Sequence, residues 1–318
     1  MGDFRSHLFQ DEKQPLFHLL LLFVVALVGG GLLFLLTVVA GNFFFNIDNV
    51  FGYNTAIPGG SNERAFMKYI LVSQQITLFV LPSLFLMTII NKSRKPWDHD
   101  FKSPPVNEVI LVILLAFCIF PVTSFTGQLN SQVQLPDWLS GIEKWMVDKE
   151  ESAEKVIQLV TTPETLSNMV GNIIIIAVLP AFGEELIFRG VLQKLLLRVL
   201  RSGNASVWIT AFIFSSLHLQ FFGFLPRFIL GLVFGYLFLW SGTLWLPIVA
   251  HFVNNAVSVA ADYFQSGNPS EVLPDSELWQ VMLGIVFPVF AISLIMLYFR
   301  HKSIVESGSE HSENEITG

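Results

Sequence analysis

The chain has 318 residues, of which 53% are hydrophobic and only 14% charged, with a mean hydropathy of +0.60, whereas a soluble domain carries about a quarter charged residues. So little charge cannot cover the water-facing surfaces that a soluble chain of this length needs, so the bilayer is the solvent for most of it. The net charge of −7 and the lack of a Lys/Arg cluster interleaved with aromatics exclude a nucleic-acid interface, and the single Cys118 excludes a disulfide framework or a cysteine metal cage.

In chain order, apolar stretches able to cross about 30 Å of hydrocarbon at about 1.5 Å per residue lie near 16–40, 67–90 and 107–126, then near 168–193, 205–222, 225–241, 244–262 and 278–299. The fold expected is an all-α polytopic membrane protein with about eight transmembrane helices, four of them joined by short connections into one core. Three helices occupy 1–126, an extracytoplasmic amphipathic loop 127–165, the four-helix core 166–262, a further helix 263–302 and a disordered polar tail 303–318. The first span is too long for a signal-peptide h-region, and Asp3, Asp11 and Glu12 dilute its charged start. Met1-Gly2 with Ser6 matches the N-myristoylation pattern, but one acyl chain adds nothing to eight spans.

With the N-terminus placed in the cytoplasm, twelve of the eighteen Lys and Arg residues fall on inside segments, among them Arg5, Lys13, Lys92, Arg94, Lys95, Lys194 and Arg198. The outside loops hold acids such as Asp137, Glu150, Glu271, Asp275 and Glu277, so both termini are expected to be cytoplasmic. Within the loop 127–165, Asp137 precedes a helix with Leu139, Ile142, Trp145 and Met146 on one face, and a second short helix follows with Ala153, Val156, Ile157 and Val160 on one side. The pattern suits a helix lying on the headgroups or a lid over a substrate opening.

Polar residues inside the spans carry the chemistry. Span four holds Glu184, Glu185 and Arg189, span five His218, and span seven His251, Asn254 and Asn255. Each unpaired charge at a helix centre costs about 2.5–3.5 kcal/mol on insertion scales, so pairing or a wet cavity is required. Residues four apart share a helix face, which pairs Glu185 with Arg189 and leaves Glu184, about 100° round the helix, uncommitted. Counting helix rise from the expected cytoplasmic ends puts Glu184 about 15 Å deep, His218 about 20, His251 about 12 and Asn255 about 18. One level in the inner half of the membrane suggests a single cavity reached from the cytoplasmic leaflet.

A carboxylate, two imidazoles and a carboxamide round a cavity suit activation of a water and stabilisation of the oxyanion formed when it attacks a carbonyl. On this reading Glu184 and His218 activate the water, and His251 and Asn255 are donors to the oxyanion. Glu184, His218 and His251 are equally a catalytic zinc ligand set with an open fourth position, and spacing does not separate the two.

Glu184-Glu185-Leu-Ile-Phe-Arg189 resembles the EExxxR motif of the CAAX-protease and bacteriocin-processing (CPBP, or Abi) intramembrane proteases. Phe214-Ser-Ser-Leu-His218 resembles their FxxxH, and His251-Phe-Val-Asn-Asn255 their HxxxN, in the family's order across about residues 168–262. The resemblance implies the roles just given, with Glu185, Arg189 and Phe214 as support. It implies an endopeptidase acting on a membrane-associated peptide or protein, with no certain cofactor and Zn2+ as the alternative. The chain looks closer to the bacterial branch, which implies a bacterial inner membrane. The rival readings are a non-catalytic immunity or scaffold protein, and a proton-coupled transporter using Glu184 and His218 as relays. The lack of an inverted repeat speaks against a transporter. No GxSxG, HExxH or mid-membrane aspartate pair points to another protease chemistry.

Overall fold

The computed structural model describes residues 14–45, 61–90, 100–133, 135–161, 166–265 and 282–317. The myristoylation pattern, the basic residues Lys92, Arg94 and Lys95, and the acids Glu271, Asp275 and Glu277 lie outside these residues. The described chain is helical, with nine long helices: α1 (Pro15–Phe45), α2 (Ser61–Ile89), α3 (Val106–Ser131), α4 (Ser140–Thr161), α5 (Ser167–Leu200), α6 (Gly203–Leu217), α7 (Phe224–Ser241), α8 (Trp245–Gln265) and α9 (Phe287–Thr317). Six of the apolar segments are long enough to span a bilayer, and α6 and the apolar part of α8 (Trp245–Ala261) are shorter. Together they make the eight expected apolar helices of an all-α polytopic membrane protein.

Two regions depart from expectation. Between α3 and α5 the two short amphipathic helices are one, α4, preceded by a single 3-10 turn at Asp137–Leu139 in which the Asp137 side chain caps nothing. Nothing between Met146 and Ala153 breaks the helix: Val147 to Ser152 contains neither Gly nor Pro, so the two apolar faces join. Residues 303–317, expected as a disordered tail, continue the last helix as far as Thr317. Their polar composition still permits a helix, since it contains no proline and the single Gly308 costs only about 1 kcal/mol.

Helix ends at the core are chemically marked. Arg201 takes a left-handed turn (φ 54°) to end α5, and the Ser202 hydroxyl accepts the Ala205 N–H at 3.3 Å to start α6. Gly242, at φ 71°, closes α7 where a side chain would be strained. The next residues are tied down: Leu244 N–H donates to the Asp100 carbonyl at 2.7 Å, and Thr243 Oγ1 to the Lys102 carbonyl at 2.7 Å. Lys194 of α5 pairs with the Asp100 carboxylate. These contacts hold one end of the bundle. At the other, Asn130 of α3 donates to the Phe221 carbonyl, Trp145 of α4 packs on Phe221 (centroids 5.3 Å), and Gln220 Nε2 reaches Glu150 of α4 at 3.4 Å.

Two glycines bring α7 against its neighbours. A Cβ on Gly231 would lie 2.9 Å from Ala211 Cβ and 3.0 Å from its Cα, and one on Gly235 2.8 Å from Val207 Cγ1. Gly231 and Gly235 are four apart, as are Ala211 and Val207, so a small-residue stripe lets α6 and α7 touch along their backbones. The exposed carbonyls on that stripe are used: Gly231 accepts from Arg189 NH2 at 3.0 Å, and Gly235 from Gln193 Nε2 at 2.9 Å. Helices α5, α6 and α7 are thus locked together around the residues of the candidate site.

Candidate active site

Glu184 and Glu185 fall in the middle of α5, just after Pro180, and point to different sides. Glu185 and Arg189 are completely buried, and Arg189 NH1 donates to Glu185 Oε1 at 2.8 Å, the pairing expected from their spacing. The guanidinium lies over the rings of Phe214 (5.0 Å) and Phe234 (5.5 Å). Attraction to two aromatic faces and a carbonyl replaces the water that a cation loses at this depth.

Glu185 has a second partner. His251 Nδ1 lies 2.9 Å from the same Oε1, and since a carboxylate only accepts, Nδ1 carries the hydrogen. The other ring nitrogen, Nε2, is turned to Glu184 with 4.0 Å to its Oε2. Phe234 stacks on the imidazole at 5.2 Å and 24°, so the ring is held by a carboxylate at its edge and an aromatic on its face. Arg189, Glu185, His251 and Glu184 therefore form one line across α5 and α8, the arrangement that orients a histidine in catalytic and metal sites alike.

His218 sits one residue past the end of α6. Its Nδ1 donates to the Phe214 carbonyl at 2.8 Å, which leaves the Nε2 lone pair free. Phe214 is the hub of the cluster, meeting His218 edge-on at 5.0 Å, His251 at 6.1 Å and Phe188 at 5.1 Å while carrying the Arg189 cation.

Glu184 and His218 share the wall of a cavity of about 390 Å³. Its apolar surface includes Phe79 of α2, Ile176 and Phe188 of α5, and Ala153, Val156 and Ile157 of α4. His251 and Asn255 are not on this wall. His251 stands behind Glu184, and Asn255 Nδ2 donates to the Ile176 carbonyl at 3.3 Å. Pro180 has no N–H to offer the carbonyl four residues before it, which is that of Ile176, so the asparagine of α8 serves a broken point in α5. Asn254 Nδ2 donates to Asn255 Oδ1 at 3.3 Å.

The cavity lies on the side of Glu184 that faces α4. Along α5 the distance from the α4 end at Ser167 to Lys194, beside Asp100, is about 40 Å by helix rise. A Cα depth does not say which way a side chain leans. On a helix side chains tilt toward the N-terminus, which for α5 is the α4 end, so Glu184 reaches away from the Lys194 end. The half of α4 bearing Ala153, Val156 and Ile157 lies over the cavity, while Ile142 and Trp145 are half exposed.

Among the described residues, no group of three His, Cys, Asp or Glu side chains is arranged to hold a metal ion. Each histidine of the site has its Nδ1 engaged by an acceptor and its Nε2 left for another partner.

Sequence reading missed three contributors. Gln75 of α2 donates through Nε2 to Glu184 Oε1 at 3.3 Å; the rule that singled out Glu184, a polar residue inside an apolar span, also picks out Gln74 and Gln75. Phe234 and the Gly231/Gly235 stripe carried a signal in the G-x-x-x-G spacing, though not the identity of the helix they face.

Residues 166–257 match the model of the family described as type II CAAX prenyl endopeptidase Rce1-like. A stretch of 90 residues is 33% identical to the uncharacterized protein YpbD of Bacillus subtilis (strain 168), covering 27% of this chain and 43% of that protein, so the match spans less than half of the relative's length. No solved structure matches the chain. The segment 166–257 that is similar to the Rce1-like family contains Glu184, Glu185, Arg189, Phe214, His218, His251 and Asn255.

Proposed function

We propose that the chain is an intramembrane endopeptidase that hydrolyses a peptide bond of a membrane-associated peptide or protein with a water activated by Glu184 and His218. The observation that carries this reading is that Glu184 and His218 share one cavity wall while the other charged groups of the site are sequestered behind it. A water between them donates one hydrogen to the Glu184 carboxylate and the other to His218 Nε2. Its oxygen bonds to the scissile carbonyl carbon as the proton passes to Glu184. The C–N bond then breaks as the leaving nitrogen takes that proton, giving a carboxylic acid end and an amine. His251, anchored on Glu185, holds its Nε2 toward the proton on Glu184. Asn255, off the cavity wall, supports the site by holding the Ile176 carbonyl of α5. The apolar wall favours an apolar peptide segment, admitted from the α4 side of the bundle.

The test compares new peptide termini, by mass spectrometry, in membranes containing the wild-type chain or Glu184→Gln at matched levels. Termini that appear only with wild type establish proteolysis and name the substrate. Removing a general base is expected to lower the rate by about 10²- to 10⁴-fold. Identical termini from two folded proteins would refute the reading and favour an immunity or scaffold role.

A further inference from the structure

Gln75 lies on α2, outside the segment that matches the family, yet it touches the carboxylate at the centre of the site. Among the described residues the polar partners of Glu184 are two, Gln75 Nε2 at 3.3 Å from Oε1 and His251 Nε2 at 4.0 Å from Oε2. One oxygen is thus held from α2 and the other is turned to α8. The contact requires α2 and α5 to approach closely, and Gly183 allows it. A Cβ there would lie 3.1 Å from Gln75 Oε1, 3.3 Å from Phe79 Cβ and 3.3 Å from Val80 Cγ2. The carboxamide thus packs over the glycine that precedes the two glutamates.

Gln75 is also expensive. Its Oε1 is buried with no hydrogen-bond partner among the described residues, a penalty that leucine or methionine would avoid while filling the same space. Polar groups kept at such a cost inside a membrane mark function more often than packing. Gln75 begins a widened helical turn, Gln75–Val80, of the kind that recurs at functional sites, and it lines the cavity together with Gln74.

We propose that Gln75 is a positioning residue that fixes the Glu184 carboxylate through its Nε2–H, so that α2 completes a site whose other parts come from the family core. The inference rests on the function proposed above for Glu184. Its test therefore has one readout that needs catalysis and one that does not.

Three variants of the full chain in lipid are compared with wild type: Gln75→Leu, which removes the donor and keeps the volume, Gln75→Glu, which keeps the shape but presents acceptors, and Gly183→Ala, which leaves both polar residues and pushes the carboxamide aside. The catalysis-independent readout is labelling of Glu184 by dicyclohexylcarbodiimide, quantified by peptide mass spectrometry with Glu184→Gln as the blank. The reagent reports how the Glu184 carboxyl is held, and a carboxyl released from the Gln75 contact is freer to present an oxygen to it. Loss of Gln75 Nε2–H is expected to speed labelling at least threefold in Gln75→Leu and Gln75→Glu, with a smaller change in Gly183→Ala. The second readout uses a quenched fluorogenic peptide cleaved by wild type and not by Glu184→Gln. There kcat is expected to fall about tenfold or more in Gln75→Leu, with KM within about twofold.

Unchanged labelling in folded Gln75→Leu and Gln75→Glu would overturn the inference, as would a rise in KM with kcat unchanged. Altered labelling with no cleavable peptide would support the contact and count instead against the peptidase reading, so the two failures are told apart.

Discussion

The Glu185–Arg189 pair permits a test in which stability and activity separate. Both side chains are completely buried, and Arg189 spends its hydrogen bonds on Glu185 Oε1 (2.8 Å) and the Gly231 carbonyl (3.0 Å). Arg189→Met leaves the Glu185 carboxylate with His251 Nδ1 alone, and Glu185→Leu leaves a cation between two phenylalanine rings. Removing one partner of a buried pair costs about 3–5 kcal/mol, whereas replacing both by apolar groups of similar size is close to neutral. The double variant is therefore expected to lie within about 2 kcal/mol of wild type, with a coupling energy of at least about 3 kcal/mol. The assay is reversible unfolding in mixed micelles or bicelles followed by tryptophan fluorescence. Additivity of the two single effects to within about 0.5 kcal/mol would refute the reasoning. The stable double variant is nonetheless expected to be inactive, because Glu185 also anchors His251 at 2.9 Å. If it cleaves like wild type, the line from Arg189 through His251 to Glu184 has no part in catalysis.

Other perturbations follow from the packing. Gly231→Ala places a methyl 2.9 Å from Ala211 Cβ and next to the carbonyl that holds Arg189; overpacking there is expected to cost about 1–3 kcal/mol, and an unfolding midpoint equal to wild type would show that α6 and α7 are not in backbone contact. Asn255→Leu strands the Ile176 carbonyl, for an expected loss of about 1 kcal/mol. Adding Pro180→Ala, which restores an N–H to that carbonyl, should recover stability without recovering activity, and no recovery would break the link between the proline and the asparagine. Dialysis against a chelator is expected to leave cleavage intact, because the proposed reaction draws only on Glu184, His218 and a water. Loss of activity that returns with Zn2+ alone would place His251 and His218 on a metal.

Much of this protein is written in one dimension. Hydropathy over windows of about twenty residues is a local property, so the eight apolar helices were legible before any contact was known. The Glu185–Arg189 pair was legible for the same reason, since residues four apart on one helix meet whatever surrounds them. Spacing also separated Glu184 from its neighbour, and the order of Phe214, His218, His251 and Asn255 marked the core that the family model matches. What spacing lacks is direction and partner. It did not show that Glu185 serves both Arg189 and His251, that Asn255 answers the N–H missing at Pro180, or that α2 supplies Gln75, because each contact joins helices distant in sequence. The side of Glu184 on which the cavity lies belongs to the same class. It depends on the tilt of Glu184 along α5 and on α4 folding over Ala153, Val156 and Ile157, and both are settled by how the helices pack and not by how far along each one a residue lies.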